Sequence, residues 1–176
     1  YGGADAGNYT ITGQASTTAN ITPKVLVVSG LVADNRVYDG TTAATVTTSN
    51  ALLSGLLAND VVNVSATGTF TDKNVGDNKT VTLSSSYTGA DVGNYAITSQ
   101  TTSTANITPK ALTISGITAA NKTYDGGNVA TMSLASLLKN GLVNGDTVNV
   151  AVTGTFSDEN VANGKTVTLL ANSLSL

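Results

Sequence analysis

Residues 36–46 read RVYDGTTAATV, and residues 122–132 read KTYDGGNVATM. The offset between them is 86 residues. It holds elsewhere too: Tyr9 recurs as Tyr95, Lys24 as Lys110 and Phe70 as Phe156, with no insertion or deletion. The opening YGGADAGNYTITGQ likewise returns as YTGADVGNYAITSQ. Internal repetition decides the architecture before any local feature does. A period of 86 residues exceeds the roughly 20–50 residues of solenoid repeats and suits a small β-sandwich module.

Within one period the sequence reads as strands. Thr and Val favour a pleated, half-buried backbone, whereas Gly, Asn and Asp favour turns. KVLVVSGL opens the unit, NRVYDG runs into a turn, and TAATVTT follows. DVVNVSATGTF alternates toward Phe70, and KTVTLSS, NYAITS and TANIT complete the set. Short alternating strands spaced by about 8–12 residues predict an all-β fold of tandem Ig-like β-sandwich modules. One segment reads differently. ALLSGLLAND (51–60) and LASLLKNGLVNGD (134–146) carry apolar residues at spacings that suit a short helical turn. A longer helix there would make each module β-grasp-like instead.

Pro23 and Pro109 sit in TANITPKVL and TANITPKAL. Proline fixes φ and cannot donate to a ladder, so it suits a stiff exit from one sheet into the next. The expected organisation is therefore residues 1–23 as closing strands of a preceding repeat, 24–109 as a complete repeat, and 110–176 as a second repeat without its last strands. Modules joined without a Gly/Ser spacer should lie nearly end to end, as a rod. Residue 1 falls inside a repeat, as expected of a piece cut from a longer array. Under the same frame, residues 1–23 of one chain can complete another, and head-to-tail exchange of that kind yields an open filament.

The composition argues against several functions. The net charge is −3 and the 8 basic residues are scattered, which offers no footprint for nucleic acid. No apolar run approaches the roughly 18 residues of a membrane span. The chain has no Cys and no His, so it lacks the usual thiol nucleophile and the usual proton carrier near neutral pH. No Gly-rich phosphate loop opens a helix. An enzyme is not expected, and neither is a cofactor.

The repeated residues read most simply as structure. Tyr38, Asp39 and Gly40, with Tyr124, Asp125 and Gly126, combine a ring that covers a sheet edge, an acceptor for backbone N–H groups and a residue free to take positive φ. Calcium prefers six to eight oxygens. The best local candidates for such a site are Asp72 with Asn74, and Asp158 with Glu159 and Asn160. Lys24, Lys110, Lys79 and Lys165 recur, and Asn20 and Asn106 lie in the last strands. These are the residue types of a Lys–Asn cross-link, which needs a desolvated Lys beside a carboxyl group.

Taken together, ITPKALTISGITAANKTYDGG, GDTVNVAVTGTFSDENV and GKTVTL resemble the YDG-type repeats of large bacterial surface proteins, including filamentous-haemagglutinin-like adhesins. The resemblance covers essentially the whole chain. It implies tandem extracellular modules, at the cell surface or in a secreted matrix, that extend or present an adhesin. It supports no ligand and brings no catalytic residue. The expected partners are neighbouring repeats of the same protein, with head-to-tail association of copies from the repeat frame and an unknown surface receptor or glycan as alternatives.

Overall fold

The computed structural model describes residues 1–171; residues 172–176, the end of the expected second repeat, lie outside the described residues. Two sheets enclose the larger core. In one, strand Lys24–Ser29 lies between Leu52–Ser54, antiparallel, and Tyr95–Thr98, parallel. In the other, Gly76–Thr88 lies between Asn63–Phe70 and Thr102–Thr108, both antiparallel, with Ala43–Ala44 and Arg36–Val37 at the edges. A small ladder, Val32–Ala33 with Val46–Thr47, links the two. This is an all-β sandwich.

The alternation that predicts these strands is also what fills the core. Along Asn63–Phe70 the side chains of Val64, Ala66 and Phe70 turn inward, while Asn63, Ser65, Thr67 and Thr69 face water, the period of two of a pleated backbone. Gly68 occupies an inward position where strands crowd. A Cβ there would stand 2.7 Å from Val81 Cγ1 and 3.1 Å from Ala44 Cβ, so only glycine admits the edge strand. Leu26 and Val28 from one sheet meet Phe70, Val81 and Ile107 from the other. All five are 2 % exposed or less, and burying each contributes about 1.5–3 kcal/mol.

Residues 51–60 contain no helix. Leu52–Ser54 is a strand that pairs with Val27–Ser29, and Leu138–Asn140 pairs in the same way with Thr113–Ser115. The expected helical turn is therefore corrected to an edge strand followed by a turn. The apolar spacing fits either conformation in so short a run, and pairing with the first strand decides between them. Helix among the described residues is limited to the 3-10 turns Ala6–Asn8 and Val92–Asn94, so the helix of a β-grasp is absent from them.

The second module repeats the first in register. Val27 opposite Ser54 becomes Thr113 opposite Asn140, Ala43 opposite Thr69 becomes Val129 opposite Thr155, and Ala66 opposite Ser85 becomes Val152 opposite Ala171. Residues 1–23 repeat the sequence of 87–109, yet they form no strand. Ile21 is fully exposed where Ile107 is 1 % exposed, and Tyr9 is exposed where Tyr95 is buried. Strands 95–98 and 102–108 owe their form to Lys24–Ser29 and Gly76–Thr88, which hold them. The same sequence without those neighbours has no ladder to join.

Candidate functional site: the joint between modules

The YDG turn is assembled around Arg36. Asp39 Oδ1 accepts hydrogen bonds from the Thr41 N–H and hydroxyl, each at 2.9 Å. Its Oδ2 pairs with Arg36 Nη1 at 2.9 Å. The same guanidinium also bonds the carbonyls of Thr41 and Ala43 and lies 5.2 Å from the centroid of the Phe70 ring. Bonds from Thr41, and then the Arg36 charge, hold the Asp39 carboxyl below its ordinary range. In the second copy, Asp125 Oδ1 accepts from the Gly127 N–H at 2.9 Å and from Lys122 at 2.6 Å. In both copies the motif's aspartate thus accepts the backbone N–H two residues further on, while the Tyr124 ring stays exposed.

Tyr38 does something further. Its backbone N–H joins the end of the last strand through Thr108 O at 2.9 Å, which aims the ring past Pro109 toward the second module. There the phenol donates to Asp146 Oδ2 at 2.6 Å, and Lys73 Nζ reaches Asp146 Oδ1 at 3.2 Å. Gly40 takes φ +82°, and a Cβ on it would stand 2.7 Å from Val143 Cγ1. The motif's tyrosine and glycine therefore both face the turn 142–146 of the next module. A cleft of about 530 Å³ opens beside this contact, lined by Tyr38, Lys73, Pro109, Lys110, Leu142 and Asp146 among others.

The charges here depend on one another. The Tyr38 bond, and then Lys73, hold the Asp146 carboxyl below its usual range. Asp146 in turn pushes the Tyr38 phenol up and is the main reason the Lys73 ammonium is pushed up. Each group is favoured in the protonation state that keeps the bonds.

The equivalent aspartate in the first module is used differently. Asp60 Oδ2 accepts from the Tyr95 hydroxyl at 2.5 Å, and that hydroxyl accepts from the Leu57 N–H at 3.0 Å. Asp91 accepts from the Val61 N–H at 2.8 Å. The closing strand thereby ties down the turn 55–62.

The remaining candidates are placed apart from the joint or at its rim. Asp72 Oδ1 accepts from the Asn74 N–H at 2.8 Å and from Lys79 at 2.7 Å. Asp158 accepts from the Asn160 N–H at 2.8 Å and from Lys165. In both copies a lysine ammonium sits where a cation would approach, and no group of three or more metal-ligating side chains occurs among the described residues. Lys24 and Lys110 are exposed. The Asn106 side chain accepts from the Asn78 N–H at 2.7 Å. Pro23 is an exposed residue ahead of the first strand, and Pro109 lines the cleft. Sequence reasoning did not single out Asp146, Lys73 or Val143. The available signal was that Asp60 recurs as Asp146 at the 86-residue offset.

A duplicated all-β module with a keyed contact between its copies defines a tandem repeat protein. The YDG domain model matches residues 22–104 and again residues 108–175, so the chain belongs to the YDG domain family. No curated protein and no solved structure matches it.

Proposed function

We propose that this chain is a spacer segment of an extracellular bacterial adhesin, acting at the cell surface or in a secreted matrix, where its repeats set reach and stiffness. The observation that carries this reading is the joint. Residues 109–112 alone separate strand Thr102–Thr108 from strand Thr113–Ser115, and Tyr38, Gly40 and Lys73 of one module engage Val143 and Asp146 of the next. Such a contact resists bending, which a spacer requires and a ligand site does not.

A second reading, a matrix fibre built by exchange of residues 1–23 between copies, is favoured by the exposed Ile21 and Tyr9 in a segment whose repeat forms strands. Light scattering of the chain across a dilution series, with binding assays against immobilised glycans and matrix proteins, separates the readings. A monomer without saturable binding is expected. Mass that grows with concentration and reverts on deletion of residues 1–23 would replace the spacer with a fibre subunit. A saturable ligand would replace it with a binding module.

A further inference from the structure

The two aspartate turns each show one half of an arrangement. Asp60 takes a phenol from its own module's closing strand, Tyr95. Asp146, its counterpart, takes a phenol from the preceding module's YDG turn, Tyr38. An ionised carboxylate has two oxygens with about four acceptor positions, so the two bonds are compatible. The surroundings differ in the same sense. Val143 lies under Gly40 and is half-buried, whereas its counterpart Leu57 is 54 % exposed. On the donor side, nothing lies within 4 Å of a Cβ placed on Gly126, and Tyr124 is 63 % exposed. The joint's donor half and acceptor half are thus each engaged once, between the modules, and each left open once.

We propose that this aspartate is a two-tyrosine node in every complete repeat, bonded at once by its own closing-strand tyrosine and by the YDG tyrosine of the repeat before. Tyr124 with Gly126, and the turn Leu57–Asp60, are then matching docking faces for a further YDG repeat. Docking does not wait for the closing strand, since Asp146 already takes the Tyr38 bond with no closing strand beside it among the described residues. The closing strand's tyrosine, as Tyr95 does at Asp60, adds a second bond to the same carboxylate. The inference deepens the spacer reading and rests on it for the identity of the partner.

The test inserts one more copy of residues 24–109 after Pro109 of the full chain, which preserves the ITPK junction. The inserted copy's counterpart of Asp60 then has both tyrosines in reach. Changing that aspartate to asparagine should lower the melting temperature of its repeat and also broaden the distance distribution between spin labels on it and on the preceding repeat. In the unextended chain the effects should separate: Asp60→Asn lowers stability without moving the joint, and Asp146→Asn loosens the joint. If the inserted copy's substitution changes only one of the two readouts, the node is wrong. An external ligand would sink the spacer reading yet leave these two measurements unaffected, so the failures are distinguishable.

Discussion

Tyr38 and Asp146 lie 108 positions apart, occupy different places in the repeat, and share a 2.6 Å hydrogen bond from phenol to carboxylate. The identical motif 86 residues on gives Tyr124 no hydrogen bond among the described residues. One signature therefore performs two tasks. It builds a turn in each module, and in the first module it also latches onto the aspartate turn of the second.

Tyr38→Phe should loosen the joint while both sandwiches stay folded, because the ring remains and only the donor is lost. The chain has no cysteine, so spin labels at Ser84→Cys and Thr168→Cys, both exposed positions, report the separation of the modules directly. The distance distribution should broaden in Tyr38→Phe and stay as it is in Tyr124→Phe. Equal responses would show that the latch does not hold the modules.

The latch should work within a pH window. Asp146 has a lowered pKa, so its contribution is complete above the ordinary carboxylate value of about 4 and is lost as pH falls through the lowered one. Tyr38 and Lys73 have raised values, so theirs is complete below about 10 and is lost as pH climbs through the raised ones. The label distances should be narrow from about pH 5 to 9 and broaden on either side. Asp146→Asn should remove the acid limb. An acid limb that persists in that variant would have to come from another group.

Lys73→Glu should open the joint further than Lys73→Ala. The alanine removes a cation, while the glutamate adds an anion beside Asp146. Both effects should shrink with added salt, because the pair is partly solvated. The second copy carries Glu159 at this position, so joints of one array need not be equally firm. A salt series on the two variants checks this, and identical behaviour would remove charge from the account.

Ile107→Ala should cost about 2–5 kcal/mol, the range for truncating a buried aliphatic side chain. Ile21→Ala, in the same TANITP context, should stay within about 0.5 kcal/mol, because Ile21 is fully exposed and Ile107 is 1 % exposed. Denaturant unfolding measures both. A large cost at Ile21 would mean that residues 1–23 pack on something, whether in the same chain or in another copy.

Much of the fold was legible because a strand writes its period into its residues. Val64 to Phe70 and Val81 with Leu83 alternate as they pack, and the 86-residue offset carries the registers of the strand pairs that both modules contain from the first into the second. Leu52–Ser54 was misread because three or four apolar residues suit a helical turn as well as an edge strand, and only the neighbour Val27–Ser29 distinguishes them.

The sequence by itself determined the repeat and most of its strands and turns, since those follow from local spacing and from residues such as Gly40 that accept positive φ. Leu52–Ser54 and the strands of 95–108 needed a pairing neighbour. Tertiary structure alone decided what the repeated tyrosine touches. A pattern along the chain records which face a residue presents within its own module. It carries no record of which module comes to lie against that face, so the bond from Tyr38 to Asp146 and the emptiness around Tyr124 arise from one motif in two surroundings.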